Sequence, residues 1–408
     1  MRPLLTGAAR PLRTAVGAAP AVALALVAAL APGDAGGAEA GAASPFAWQA
    51  EYLLDALQVR RPRSGAVLGH LELGLTADAE RWLGWSGTTL HVSAIADHGA
   101  KPNRTLGSLQ GISNIEVDPA AARLYATWAE RELAAGVTAR VGLLGLDEEF
   151  YATPASAPFI HPAFGTGPEL AETGANGPSI FPVLSLGVRL KAELDGGAYL
   201  QTALLDAVPG HANHPRRTTV RLSRGEGALL VAEAGWQERS AEGPGEARWG
   251  IGVWGYSRRV EPVDAGTARA NAGVYAIGQA LLLDRREGRT RAFVRAGVAE
   301  RRVNAIDAAF DLGLVVDRPL GEAGPEAVFA GVAVAHLGRP WRAAQARAGV
   351  ALVAQETAVE LGAVFQLGRG FALQPLVQRI RNVGGERRTA TIAGLRLAWS
   401  FASDAKPD

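Results

Sequence analysis

The sequence predicts an all-β fold: a transmembrane antiparallel β-barrel of about sixteen strands, with one long loop folded inward to form a constriction. Three observations carry this. First, apolar and polar residues alternate with a period of two along nearly all of the chain after residue 40. Near the carboxyl end Val359, Leu361, Ala363, Phe365 and Leu367 share one face, and Glu360, Gly362, Val364 and Gln366 share the other. Ala393, Leu395, Leu397, Trp399 and Phe401 then oppose Gly394, Arg396, Ala398 and Ser400. One apolar face, one polar face and an aromatic end suit a strand that stands between lipid and a wet lumen. Second, 50 glycines, 48% apolar residues and a single methionine suit twisted strands and tight turns better than helices. Third, no continuous apolar stretch is long enough to cross a bilayer as a helix, so a membrane crossing falls to strands.

Residues 1–40 read as a separate object. Arg2, Arg10 and Arg13 precede the apolar run Ala21 to Ala31, and Ala38-Glu39-Ala40 supplies a small-residue cleavage site. An apolar core of about ten residues is too short to span, so the segment reads as a cleaved secretory signal; a retained anchor is the weaker alternative. The barrel is expected over 41–401, followed by a short tail over 402–408. The chain carries 41 basic and 40 acidic residues; three and two of these leave with the signal, so 38 of each remain. That balance does not indicate a nucleic-acid partner. Only Lys101, Lys191 and Lys406 are lysines, for which a GC-rich genome is a simpler explanation than selection for guanidinium chemistry. With no cysteine, an exported chain holds its fold by hydrogen bonds and packing, as a closed barrel does.

Alternation places strands near 51–59, 66–76, 87–97, 121–132, 136–146, 183–193, 197–206 and 228–237. A second set falls near 247–257, 270–283, 290–300, 308–316, 326–337, 347–367, 369–380 and 388–401. The residues after the signal allow about 23 per strand and connection, which fits a spanning strand of roughly ten residues with a short turn at one end and a longer loop at the other. Leu184, Leu186, Val188 and Leu190 alternate with Ser185, Arg189 and Lys191, and Ala292, Val294, Ala296 and Val298 with Arg291 and Arg295. Such charges cost a few kcal/mol each at the lipid midplane, so they belong in the lumen. A soluble sandwich with its polar face in water is the alternative arrangement. Arg123 to Glu132 has no clean apolar face, which leaves either shielding by an inward loop or a different register. The insertion from Phe150 to Pro182, rich in proline, glycine and aromatics, has no periodicity of its own; the lumen is the place for an ordered loop of that length.

Short stretches throughout the chain carry a family likeness. They are Leu83-Gly84-Trp85-Ser86-Gly87, Ser113-Asn114-Ile115-Glu116, Arg123-Leu124-Tyr125 with Trp128 and Glu130, Arg140-Val141-Gly142, Glu149-Phe150 and Phe164-Gly165. Asn271-Ala272-Gly273-Val274-Tyr275, Glu356-Thr357 with Glu360-Leu361, and Gln374-Pro375 leading to Asn382-Val383-Gly384-Gly385 continue the series in order. With these the chain resembles the carbohydrate-selective porins of bacterial outer membranes, the OprB type. The resemblance implies sixteen antiparallel strands in the bacterial cell outer membrane, passive diffusion of small sugars, contact with outer-membrane lipid and lipopolysaccharide, and a constriction lined by arginine and acidic side chains. It leaves monomer and homotrimer both open. The chain departs from the family pattern at Leu376, where an acidic residue usually follows the Gln-Pro pair, in having little room for an amino-terminal helix, and in the residues after Phe401.

A sugar pore needs planar donors and acceptors for hydroxyls, and aromatic faces for the apolar side of a pyranose ring. The candidates are Arg123, Glu130, Arg140, Glu149, Arg189, Arg291 and Arg295, with Phe159, His161 and Phe164 from the long loop as stacking or gating groups. For each charged residue the competing role is that of a wall charge paired with a neighbour. Enzyme readings find little support. His211 and His214 have a metal-like spacing but sit among Pro209, Gly210 and Pro215, no serine stands in a nucleophile elbow, and no glycine-rich phosphate loop precedes a helix. No cofactor or metal is expected. A general non-selective porin, or an outer-membrane barrel with another role, remains the alternative.

Overall fold

The computed structural model describes residues 44–403 except 61, 62, 224, 241, 242, 286, 287, 322 and 323. The expected signal over 1–40 and residues 404–408 of the expected tail lie outside the described residues. Among the described residues sixteen strands close into one barrel in which every neighbouring pair is antiparallel and β1 pairs with β16. The strands are β1 (Phe46–Arg60), β2 (Arg63–Asp78), β3 (Thr88–Gly99), β4 (Ala122–Ala134), β5 (Val137–Leu144), β6 (Ser185–Glu193), β7 (Ala198–Asp206) and β8 (Ala228–Ser240). They continue as β9 (Gly243–Val260), β10 (Arg269–Arg285), β11 (Gly288–Ala299), β12 (Ile306–Asp317), β13 (Ala327–Leu337), β14 (Gln355–Gly368), β15 (Phe371–Arg381) and β16 (Thr389–Ala402). Closure leaves no strand edge unpaired, which a sheet standing in lipid requires.

Connections differ at the two ends. Residues 135–136, 194–197 and 369–370 make short turns at one end, where β1 begins and β16 stops. Residues 100–121, 145–184, 207–227 and 338–354 make long connections at the other. The expected strand over 347–367 is corrected here: Arg339–Arg347 form a helix, and the strand starts only at Gln355. The helix follows Gly338 and has proline at its start, a position where the missing N–H is no loss.

The alternation read from the sequence is the alternation of the wall. Val188, Leu190, Val294, Val298 and Leu361 are exposed on the outer face, while Arg189, Arg295 and Glu360 are buried inside. β4 shows why its pattern looked mixed. Val92 of β3 pairs with Thr127 and Ala94 with Leu124, so Ser93 alone faces both Tyr125 and Ala126. This bulge shifts the phase by one residue. Arg123 and Tyr125 point inward before it, and Trp128 and Glu130 point inward after it, where Arg140 lies over the Trp128 ring and bonds Glu130. At the short-turn end aromatic side chains gather on the outer face. Trp82, Trp85 and Trp249 are exposed, Phe371 packs on Trp399 at 4.5 Å, and Phe46 meets Trp82 at 5.1 Å. Rings with an apolar body and a polar edge settle at the lipid–water boundary.

The wall also packs inward. Leu229, Val231, Trp254, Tyr275 and Ile277 form a buried cluster with Phe150, Tyr151 and Leu170 of the long loop. Gly252 makes room for it, since a Cβ there would lie 2.0 Å from Cζ of Tyr275. Gly252→Ala is expected to cost about 1–3 kcal/mol by overpacking, read as a lower temperature at which the folded barrel loses its fast migration on a detergent gel. An unchanged temperature would show that Tyr275 moves aside freely.

Candidate functional site

Two connections enter the lumen, residues 100–121 and 145–184. A loop inside a barrel has many backbone N–H and C=O groups that lack strand partners, and burying them unpaired is costly. Here side chains of the wall supply the partners. Glu360 accepts the N–H groups of Ile160 (2.9 Å) and His161 (2.8 Å), and Glu356 accepts those of Leu109 (3.1 Å), Gln110 (3.2 Å) and Gly384 (2.7 Å). Glu233 accepts Tyr151 N–H at 3.0 Å together with the hydroxyls of Tyr199 and Tyr275. Donors serve the carbonyls: Gln374 reaches Pro158 at 2.7 Å, Gln378 reaches Ile112 at 2.9 Å, and Arg295 bonds the carbonyls of Ala163 and Gly165 while paired with Asp311. Asp55 binds Arg396 through both oxygens and takes the Ser113 hydroxyl at 2.7 Å, and Arg396 also reaches Asn114. Ionised partners make these bonds about twice as strong as neutral ones.

The sequence-predicted residues fall into three groups. Glu130, Arg140 and Arg189, on the inner wall of β4, β5 and β6, come together with Glu149 of the 145–184 connection. Arg140 bonds Glu130 at 2.9 Å and Glu149 at 3.0 Å, and Arg189 bonds Glu149 at 2.6 Å, Thr138 at 2.7 Å and also Glu130. Each of the four charges thus meets two of opposite sign. Arg291 pairs with both oxygens of Asp317 near the short-turn end. Arg295, Phe159, His161 and Phe164 are buried between loop and wall, not on the passage. Phe159 lies 4.3 Å from Phe164, 4.7 Å from Phe329 and 5.4 Å from Phe293, centroid to centroid, so these rings fasten the loop and offer no face to a sugar. His161 is held neutral, because burial lowers its pKa to about 3. Arg123 stands apart: it is 7% exposed, borders the mouth at the long-loop end, and its Nε and one Nη have no partner among the described groups.

Three cavities of the lumen adjoin one another through shared residues, and a fourth of about 390 Å³ lies on the inner side of β6 to β9, bordered by Glu149, Lys191, Tyr199, Gln201, Arg239 and Arg248. The mouth at the long-loop end, about 870 Å³, is bounded by residues 103–119, 171–183 and 210–217 together with Arg123. It shares Gln110, Asn114, Pro162, Ala171, Glu172 and Phe181 with a narrower chamber of about 330 Å³ that also meets Glu51, His70 and Asp147. Glu51 in turn lines a cavity of about 270 Å³ with Glu72 and Ser400 at the short-turn end. The inner chamber is bordered by Glu51, Asp147 and Glu172, amides, His70 and Phe181, with no arginine or lysine on its wall among the described residues. Arginine and acidic side chains together border other cavities: Arg239 and Arg248 with Glu149 in the cavity of about 390 Å³, and Arg140 and Arg189 with Glu149 in a small one beside it. Gln110, Asn114, Asp147 and Glu172 were not singled out from the sequence because their role depends on how the two loops dock. Glu51 and His70 carried a usable signal, being polar at the inward phase of β1 and β2.

A closed barrel of sixteen strands, narrowed by inward loops around a polar passage, is a porin. More particularly, the chain belongs to the OprB family of carbohydrate-selective porins, whose family model matches residues 62–401, and it is an outer-membrane sugar porin. The high-pH structure of Pseudomonas putida OprB superposes with a TM-score of 0.75 at 18% identity, covering 87% of this chain and 94% of that one. The low-pH structure gives 0.56 at 14%, covering 88% and 93%. A mutant porin of Rh. blastica gives 0.52 at 11%, covering 87% and 100%. At these identities the likeness is one of fold. No curated protein matches the chain.

At the tip of the long loop Glu169 takes the Tyr151 hydroxyl at 2.8 Å and lies so close to β11 that a Cβ on Gly297 would overlap it. Burial pushes its pKa up to about 7, only partly offset by the bond from Tyr151. Glu169 therefore prefers its proton when folded, and its contribution to stability is fully present below the ordinary carboxylate pKa and lost as pH rises through about 7. The unfolding temperature should drop between about pH 5 and pH 8 in the parent and drop less in Glu169→Gln. Equal slopes in the two proteins would remove Glu169 as the cause.

Proposed function

We propose that neutral sugars diffuse passively through the three cavities, entering at the long-loop end, which faces the outside of the cell, and leaving at the short-turn end into the periplasm. Short turns and chain termini on the periplasmic side and long loops outside are the arrangement of outer-membrane barrels. The observation that carries the reading is the polar lining of the passage, with Arg123 and Asn103 at the mouth and Gln110, Asn114, Asp147 and Glu172 in the chamber. A bare water channel does not need such groups. Sugar hydroxyls, each donor and acceptor, fit them, and Phe181 offers an aromatic surface beside them. Binding must be weak for flux to continue, on the order of −4 kcal/mol or less in magnitude, which is millimolar.

The chemistry of the inner chamber adds a sign. Asp147 and Glu172 are loop carboxyls whose pKa burial raises, Asp147 to about 6, so Asp147 is ionised above that pH and loses its charge in mild acid, and Glu172 also takes up its proton more readily than a free glutamate. Neutral sugars should therefore pass more readily than sugar acids, and a potassium chloride gradient should give a reversal potential that favours the cation at pH 7.5 and less so at about pH 5. Liposome swelling with a panel of neutral and anionic sugars, together with reversal potentials in planar bilayers, tests this. Conductance indifferent to every sugar would make the channel a general porin, and an anion preference would overturn the acidic inner chamber.

A further inference from the structure

The outer face of the barrel is not the same at its two ends. At the short-turn end it carries the tryptophan and phenylalanine rings described above. At the long-loop end, on the neighbouring strands β15, β16, β1 and β2, Arg60, Arg63, Arg379 and Arg381 stand exposed in the place of aromatic rings. Their outward direction follows from phase. Val59, Ile380 and Ile392 are buried in the inner cluster, so the residues beside them point out. Register brings them together. Arg60 pairs with Arg63 across the β1–β2 hairpin, Arg379 pairs with Thr391 and Arg381 with Thr389. Val59 pairs with Ile392, which sets Arg60 and Arg379 on the two sides of Thr391, about two strand spacings or roughly 10 Å apart. Among the described residues no carboxylate pairs with any of the four arginines, whereas Arg189, Arg291, Arg295 and Arg396 inside the barrel are all paired. The connection between β15 and β16 in this sector is short, residues 382–388.

We propose that Arg60, Arg63, Arg379 and Arg381, with the hydroxyls of Thr389 and Thr391, bind the phosphate groups of anionic glycolipid in the outer leaflet. The guanidinium plane matches phosphate with paired hydrogen bonds, and basic residues beside a membrane surface are each worth about 1 kcal/mol toward anionic lipid. Four uncompensated positive charges at the height of the headgroups suit a densely phosphorylated leaflet and not a zwitterionic one. The inference rests on the orientation proposed above, which is tested separately by whether an epitope inserted in 207–227 is reached by antibody on intact cells.

The purified, detergent-solubilised protein is mixed with bisphosphorylated lipid A, with the same lipid after removal of its phosphates, or with inorganic phosphate, and retained lipid is measured by native mass spectrometry. The proposal expects retention of the phosphorylated lipid alone. It expects at least a tenfold loss in a variant combining R60Q, R63Q, R379Q and R381Q, and no loss in R131Q, which removes an exposed arginine near the short-turn end. Fast gel migration and unchanged single-channel conductance show that the barrel of the variant is intact; if it fails to fold, the pair R379Q and R381Q is measured and should lose at least threefold. Equal retention of the dephosphorylated lipid, saturation by inorganic phosphate at the same concentration, or full retention by the variants overturns the proposal.

Discussion

The fold depends on burying peptide groups of two loops inside a lumen, and on the wall side chains that satisfy them. A strand in the barrel pairs its own backbone with its neighbours; a loop pressed against the inner wall has no such ladder, and each unpaired N–H or C=O costs free energy comparable to a lost hydrogen bond. Glu360, Glu356, Glu233 and Asp55 from the strands, with Gln374, Gln378, Arg295 and Arg396, meet that requirement residue by residue. The rings of Phe159 and Phe164 then pack where the polar contacts have fixed the loop. Passage width is set by these attachments, because what remains of the lumen is what the docked loops leave free.

This division of labour separates two kinds of charge. Glu130, Arg140, Glu149 and Arg189 neutralise one another on the wall, and Arg291 and Arg295 each have a carboxylate. Such groups stiffen the barrel and keep its inner face wet. Other groups border open space: Arg123 at the mouth, Gln110, Asp147 and Glu172 in the inner chamber, and Lys191, Arg239 and Arg248 beside β6 to β9. Selectivity in a channel that must release what it admits is better served by weak, dispersed partners than by a tight cage.

Much of this was legible in the sequence because the strand period is a local property. The inward phase of Arg189, Arg295 and Glu360 follows from two neighbours on either side, and sixteen strands were placed with one clear error, in the region where Arg339–Arg347 turn as a helix. The attachments were not legible as geometry. Glu360 and Ile160 are far apart in the chain, and only closure of the barrel brings them together. The residues that carried the family likeness, among them Ser113, Asn114, Glu356, Glu360 and Gln374, prove to be largely these attachment points. The likeness thus recorded how the loops are held, while Phe159, His161 and Phe164, chosen for their chemistry, serve the same holding and not the passage.

The bulge at Tyr125 and Ala126 has a further consequence. The shared position opposite Ser93 acts as a switch in parity, so that one strand presents odd-numbered side chains to the lumen in its first half and even-numbered ones in its second. Were Tyr125 and Ala126 each to take a partner of its own, with no bulge, the even-numbered side chains beyond them would turn outward and carry Glu130 toward lipid, leaving Arg140 and Arg189 with Glu149 as the one remaining counter-ion of the pair. The charge balance of the whole inner wall on that side is thus entrusted to one irregular peptide in an otherwise regular sheet.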